Sequence, residues 1–286
     1  MSRIVYVNGR YRPYAEAAVH VEDRGFQFAD AIYEVVEVLG ARLVDAKRHL
    51  DRLERSLGET KMTPPMSRPA LLNVIRQTLE RNRVRDGLIY IQVSRGAGPR
   101  DFSFPADDVQ PTVVVIARSQ SPSKIASAAV TGISVKTMAD IRWGRSDIKT
   151  VMLLPACLAK NEAKKSGAKE VWLVDGEGNI TEGASSNAWI VKGGRLITRH
   201  LDNRILPGVT RATVMDAAKD AALPIDNRAF SVAEAYGADE AFITSATNTV
   251  MPVVRIDDHV IGNGKPGPVT RQLRSCFHHI AETSAP

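Results

Sequence analysis

A lysine stands just before a predicted apolar helix in this 286-residue sequence. Lys149 follows the β-prone Ile148, and the apolar stretch begins at Val151. Partial burial at this place would disfavour the charged amine and make it nucleophilic, as Schiff-base chemistry requires. A lysine considered alone is more often a solvated surface group, so this interpretation depends on support from other segments.

Three further segments have side chains suited to binding a charged ligand. Glu182 is predicted to lie in a turn rich in small residues, 179–187, where another molecule could approach the backbone closely. The segment 205–211 opens a predicted helix after Pro-Gly, so its free N–H groups and the Thr210 hydroxyl could bind an anion. The hydroxyl-rich segment 244–249 could add phosphate donors. Each of the three is also compatible with an ordinary turn or helix start.

The elements that must position these residues form hairpins mixed with helices. Asn8-Gly9 between two short β-prone runs predicts a hairpin, because both turn positions of the favoured turn need positive φ. Hydrophobic spacing predicts strands at 31–39, 42–45, 88–95, 112–118, 133–138, 170–175, 187–191 and 195–198, and helices at 46–57, 69–82, 151–165, 209–221 and 269–282. An apolar stretch also covers 240–244. This mixture favours an α+β fold over strict β-α-β alternation.

A polar, proline-containing stretch divides the chain. Residues 119–123 read Ser-Gln-Ser-Pro-Ser and are predicted to be a linker. The expected division is an N-terminal α+β domain at 1–118 and a C-terminal domain at 124–286.

Composition and charge exclude several classes of protein. With 44% hydrophobic and 24% charged residues, the chain has the composition of a globular domain rather than a disordered or fibrous one. Its net charge of +6 is spread among acidic residues without a basic block, so we expect no nucleic-acid partner. No apolar run is long enough to span a membrane and the first residues lack a signal-like apolar core, so we expect a cytoplasmic protein without a membrane partner. The two cysteines have no metal-binding spacing, and no metal is expected.

Taken together, the order and spacing of the segments resemble one enzyme family. The matching segments are 22–30 (EDRGFQFAD), 33–36 (YEVV), 49–53 (HLDRL), 146–149 (SDIK), 158–163 (LAKNEA), 181–187 (TEGASSN) and 208–211 (GVTR). They resemble the branched-chain/D-amino-acid aminotransferase family of fold-type IV pyridoxal-phosphate (PLP) enzymes. Pro99-Arg100 and Ser185-Ser186-Asn187 make the D-amino-acid branch the nearest.

The resemblance implies a two-domain fold and a role for each matching residue. The expected fold has a smaller N-terminal α/β domain and a larger C-terminal PLP-binding domain with barrel-like β-structure. Lys149 would be the Schiff-base lysine that moves the substrate proton, Glu182 the partner of the pyridine nitrogen, and Arg52 a phosphate ligand. The other implied cofactor contacts are Ser185, Ser186, Asn187, Leu206, Val209, Thr210, Ser245 and Ala246.

The residues implied for substrate binding depart from the family pattern. Tyr33 and Arg100 correspond to the trap for the substrate carboxylate, with the Arg100 loop expected from a second subunit of a homodimer. Phe102 stands where the D-amino-acid branch has a histidine, and Asp101 could partly neutralise Arg100. Arg24 or another arginine could compensate. Ala246 replaces a family threonine, which leaves only a backbone amide at that place.

The activity implied is transfer of an amino group from a D-amino acid, such as D-alanine, to a 2-oxo acid, such as 2-oxoglutarate. The same scaffold also fits a branched-chain L-amino-acid or (R)-amine aminotransferase, or an aminodeoxychorismate lyase. A basic binding protein with a decayed enzyme fold is the alternative from another class, and the presence of Lys149 and Glu182 argues against it.

Overall fold

A computed structural model describes residues 3–106 and 108–286, and its contacts divide the chain into two compact units. The first comprises Met1–Pro122, Ile148–Met152 and Glu282–Pro286, and the second comprises Ser123–Asp147 and Leu153–Ala281. This division differs from the sequence-based one in the two short segments that join the first unit. Their placement follows from backbone hydrogen bonds, since the Val151 amide donates to the Ala31 carbonyl at 3.0 Å and the Asp45 amide to the Glu282 carbonyl at 2.7 Å.

The first unit is a layer of helices on an antiparallel sheet. Its elements are β1 (Ile4–Val7), β2 (Arg10–Pro13), α1 (Arg24–Phe28), β3 (Ala31–Leu39), β4 (Arg42–Val44), α2 (Ala46–Glu59), α3 (Arg68–Asn82), β5 (Gly87–Ser94), β6 (Thr112–Ser119) and the final strand Thr283–Ser284. The described residues form a seven-stranded sheet in the order Thr283–Ser284, β4, β3, β5, β6, β1, β2. The hairpin predicted at Asn8-Gly9 is confirmed, with φ of 44° and 84° at the two turn positions.

Strand β3 presents one face to the core of this unit. Ile32, Val36 and Val38 on that face are each at most 1% exposed. They join a hydrophobic cluster with the buried leucines of α2, which recur at helical spacing: Leu50, Leu53 and Leu57. Because side chains alternate along a strand, Glu34 falls on the same buried face and Tyr33 on the other.

The second unit is built on a mixed sheet. Its elements are α4 (Pro122–Thr131), β7 (Ile133–Ala139), α5 (Leu154–Lys165), β8 (Glu170–Val174), β9 (Ile180–Gly183), β10 (Asn187–Lys192), β11 (Arg195–Thr198), α6 (Val209–Asp220), β12 (Ile225–Asn227), α7 (Val232–Tyr236), β13 (Glu240–Ser245), β14 (Thr249–Ile256), β15 (His259–Val260) and α8 (Pro268–Ile280). In the described part of the chain the strand order is β12, β11, β10, β13, β14, β7, β8, β9, with β15 on β14. The sheet is a curled half-barrel, which confirms the α+β class with barrel-like β-structure.

Three features differ from the sequence-based prediction. Helix α5 begins at Leu154 instead of residue 151, because Thr150 and Val151 are bound to the start of β3. Glu182 lies in strand β9 and not in a turn. The predicted linker 119–123 is largely structured, since β6 continues through Ser119 and α4 begins at Pro122.

Candidate active site

Lys149 lies against Tyr33 in the first unit. The Tyr33 amide donates a hydrogen bond to the Lys149 carbonyl at 2.9 Å. Between the side chains, Lys149 Nζ is 4.2 Å from the centroid of the Tyr33 ring, within the range of a cation–π contact. The half-buried lysine is therefore held beside the strand that also carries Glu34. Tyr33 and Lys149, both predicted as site residues, are brought together.

Arg52 is fixed by a buried carboxylate. Glu34 is 0% exposed and accepts hydrogen bonds from Arg52 Nε at 2.7 Å and Arg52 Nη2 at 2.8 Å. Burial alone would raise the pKa of Glu34, but the charge and hydrogen bonds of Arg52 outweigh it and lower that pKa to about 2. Glu34 is thus ionised, and the guanidinium has one orientation.

His49 completes this buried cluster. Its Nδ1 lies 2.8 Å from Glu34 Oε2. Burial lowers the pKa of His49 below its usual value, outweighing the carboxylate beside it. The ring is therefore neutral near pH 7 and donates its Nδ1 proton to Glu34. Glu34 and His49 were not predicted as functional residues, although a glutamate on a core-facing strand position and the His-x-x-Arg spacing on α2 were visible signals.

Glu182 is a buried carboxylate in the second unit, as Glu34 is in the first. It is 4% exposed, and its carboxylate accepts hydrogen bonds from Asn187 Nδ2 at 2.9 Å and from the Leu206 amide at 3.1 Å. Arg142 also pairs with it, and the same guanidinium binds Asp140 with two hydrogen bonds of 2.9 and 2.8 Å. The predicted residues Glu182, Asn187 and Leu206 lie together. The two residues that support them, Asp140 and Arg142, were not predicted.

The start of helix α6 has no side-chain cap. Gly208 is the N-cap residue, and glycine has no side chain that could accept the first amides of the helix. Val209 and Thr210 are buried at the first helical positions. A Cβ added to Gly208 would collide with Oδ1 of Asn187, so only glycine fits between the two segments.

The predicted serines and Ala246 lie in two other places of this unit. The Ser185 and Ser186 hydroxyls donate to buried Glu170 at 2.7 and 3.1 Å, so their side chains hold the turn after β9. Ser245 Oγ lies 3.1 Å from Thr247 Oγ1, next to half-buried Ala246. These residues could therefore bind a ligand through their backbone amides and through the lone pairs of the serine hydroxyls.

Arg100 and Phe102 lie in an exposed loop of the first unit. The Arg100 guanidinium is 5.2 Å from the Phe28 ring centroid, and Phe102 is 82% exposed. The Asp101 carboxylate accepts the Ser103 amide at 2.9 Å, and no ion pair joins it to Arg100 within the described ranges. Among contacts in the described part of the chain, none joins Arg100 to Tyr33, so the structure leaves these two predicted substrate residues apart.

Comparison with known proteins identifies the class of enzyme. Residues 31–256 match the family model of the class IV amino-transferases. The chain belongs to this family, whose members are PLP-dependent aminotransferases. The predicted family and cofactor are thereby confirmed.

Individual relatives span nearly the whole chain. The D-alanine aminotransferase of Staphylococcus haemolyticus is 38% identical over 98% of both chains. That of Listeria innocua is 37% identical over 96% of this chain and 94% of its own. Among solved structures, a branched-chain amino acid aminotransferase from Thermobaculum terrenum has a TM-score of 0.82 at 25% identity, covering 97% of this chain and 92% of that one. The Escherichia coli branched-chain enzyme, at 23% identity and a TM-score of 0.89 over 98% and 94% of the two chains, shares the fold.

The residues described above include a suitable partner for each polar group of PLP. The cofactor has a dianionic phosphate, a pyridine nitrogen and an aldehyde. The uncapped start of α6 suits the phosphate. The buried carboxylate of Glu182, held by Asn187 and Arg142, suits a protonated nitrogen. Lys149 suits the aldehyde.

Proposed function

We propose that this chain transfers the amino group of a D-amino acid, such as D-alanine, to a 2-oxo acid, such as 2-oxoglutarate. The observation that carries the proposal is the match to D-alanine aminotransferases at 36% and 38% identity over 98% of both chains. The arrangement of Lys149 beside Tyr33, with Glu182 held as a buried carboxylate, supports it.

Lys149 is the proposed catalytic residue. Bound PLP supplies an electron sink for the pair left on the substrate Cα when its proton departs. Lys149 Nζ would hold the cofactor aldehyde until the substrate amine displaces it, and the freed Lys149 amine would then carry this proton. The Tyr33 ring, 4.2 Å from Nζ, restricts where the amine can lie. Glu182 would keep a proton on the pyridine nitrogen of the bound cofactor. Arg142 and Asn187 hold that carboxylate in place.

The remaining residues proposed to contact the cofactor would donate hydrogen bonds to its phosphate or pack against its ring. Arg52, oriented by Glu34, would donate to the phosphate, together with the Val209 and Thr210 amides and the hydroxyls of Thr210 and Ser245. Leu206 would pack against the cofactor ring. Backbone groups of Ser185, Ser186, Asn187 and Ala246 complete the contacts.

Tyr33 and Arg100 are proposed to hold the substrate carboxylate. In the described part of the chain Arg100 forms no ion pair with Asp101, whose Oδ1 accepts the Ser103 amide, and this supports the role proposed for Arg100. Phe102 offers an apolar surface beside the carboxylate instead of a hydrogen bond. The Arg100 loop acts on a second subunit of a homodimer, and sedimentation equilibrium of the purified protein tests this assembly.

A cytoplasmic location is also part of the proposal, and cell fractionation tests it. Within the described residues, no helix combines the length and the apolar character needed to cross a membrane.

The alternative activities use the same scaffold. Phe102 in place of a histidine and the branched-chain enzymes among the structural neighbours favour testing other donors. A panel of D-alanine, L-leucine, (R)-1-phenylethylamine and aminodeoxychorismate separates them, with cofactor absorbance recording each half-reaction. We expect turnover of D-alanine with 2-oxoglutarate. No turnover of D-alanine alongside turnover of another donor would contradict the D-specific proposal.

A further inference from the structure

Arg24 binds the backbone of the loop that carries Arg100. The side chain is buried, with 4% exposure, although it begins helix α1. Its Nη1 donates to the carbonyl oxygens of Asp101 at 2.6 Å and Ser103 at 3.2 Å. Its Nε donates to Asp30 Oδ2 at 2.9 Å. One guanidinium therefore fixes two carbonyls of the three residues that directly follow Arg100.

Arg95 also binds the carboxylate of Asp30, and it contacts the same loop at a second place. It donates to Asp30 Oδ2 and Oδ1 at 2.7 and 3.0 Å, and to the Thr60 carbonyl at 2.7 Å. Its guanidinium also lies 3.7 Å from the ring centroid of Phe104, the next aromatic residue of the loop. Asp30 joins the two arginines, so the loop is held at two points.

The side chain of Arg100 takes no part in the hydrogen bonds that join Arg24, Asp30 and Arg95. Arg24 and Arg100 both contact the Phe28 ring, at 4.6 and 5.2 Å from its centroid. Within residues 3–106 and 108–286, Arg100 has no carboxylate partner. Arg24 Nε and Nη1 are engaged by Asp30 and the loop, which disfavours the idea that Arg24 itself compensates for the missing histidine.

We propose that Arg24 is a positioning residue. By fixing the backbone at residues 101–103 it places Arg100, and so determines the affinity for substrates that carry a carboxylate. The role assigned to Arg100 rests on the proposed function. A planar guanidinium can bind both carbonyls and the carboxylate at once, whereas a lysine ammonium lacks this fork.

The test compares Arg24→Lys with a matched control. In Arg42→Lys the replaced side chain also binds a backbone carbonyl, that of Thr283 at 2.6 Å, but at strand β4. We expect the PLP-loaded Arg24→Lys enzyme to be cleaved by trypsin after Arg100 about tenfold faster, and its KM for D-alanine to rise about tenfold while kcat changes less than about twofold. Arg42→Lys should match the wild type in all three quantities.

A double-mutant cycle with Arg100→Lys shows whether Arg24 acts through Arg100. The KM effect of Arg24→Lys should vanish in the Arg100→Lys background. Additive effects on KM, or unchanged trypsin cleavage of the Arg24→Lys enzyme, would overturn the proposal. Asp30→Asn should reproduce the faster cleavage, and it serves where Arg24→Lys does not fold. Trypsin cleavage needs no turnover, so it decides whether Arg24 fixes the loop even if the wild type fails to use D-alanine, a result that would contradict the proposed function.

Discussion

The carboxylate of Glu34 and the guanidinium of Arg52 form a bidentate ion pair, with hydrogen bonds of 2.7 and 2.8 Å, inside the core of the first unit. His49 binds the same carboxylate. Because both oxygens of Glu34 are engaged and the residue is 0% exposed, Arg52 is held in one orientation. The proposed phosphate ligand therefore depends on an acid of the neighbouring strand.

Replacement of Glu34 by glutamine should destabilise the protein. The change leaves Arg52 buried without a compensating charge, and breaking such a pair costs about 3 kcal/mol of unfolding free energy. Urea denaturation at pH 7 measures this. Glu16→Gln, at an exposed acid of the same unit, should change the value by less than about 0.5 kcal/mol. A Glu34→Gln protein as stable as the wild type would show that the pair contributes nothing.

The same pair should make stability fall in acid. The pKa of Glu34 is lowered from 4.5 to about 2, so its contribution is fully present above about pH 4.5 and is lost as pH falls toward 2. The difference in unfolding free energy between the wild type and Glu34→Gln should therefore shrink over this range. Urea titrations at several pH values between about 5 and 2.5 measure it. A difference that stays constant would contradict the assignment.

His49 should add pH dependence at milder pH. Its pKa is lowered by burial, so the unfolded chain takes up a proton before the folded one and stability declines as pH falls below about 6.5. His49→Gln should reduce the loss of unfolding free energy between about pH 7.5 and 5.5. His279→Gln, at an exposed histidine, should keep the wild-type loss. Equal losses in all three proteins would argue against a neutral buried His49.

Gly208→Ala should weaken cofactor binding. The new methyl group would collide with Oδ1 of Asn187, whose Nδ2 binds Glu182. Overpacking of this kind costs about 1–3 kcal/mol, so the Kd for PLP should rise about tenfold or more. Absorbance titration measures the Kd. Gly176→Ala is the control, because nothing lies within 4 Å of its added Cβ, and equal Kd values for the two variants would contradict the prediction.

Local patterns predicted much of the fold. The Asn8-Gly9 turn and the spacing of Leu50, Leu53 and Leu57 specify their elements through contacts close in sequence. Helix α5 begins three residues later than hydrophobic spacing predicts, because residues 150 and 151 are held by hydrogen bonds to a strand more than 100 residues away. Hydrophobic spacing contains no signal for such a pairing.

The sequence points to some of the residues that the structure places together. The family motifs predict Lys149 and Glu182 as site residues. They do not predict Glu34 or Arg142, because each of these acts through a partner distant in sequence. Arg142 reaches Glu182 from 40 residues upstream, and it also binds Asp140. Only the folded chain reveals that these charges are paired and buried.

Lys149 Nζ is the atom proposed to bind the cofactor covalently. Borohydride reduction of the PLP-loaded enzyme, followed by proteolysis and mass spectrometry, locates the phosphopyridoxyl group. We predict that it is found on Lys149 and that a Lys149→Ala protein retains no label. A label on any other lysine would contradict the proposed mechanism.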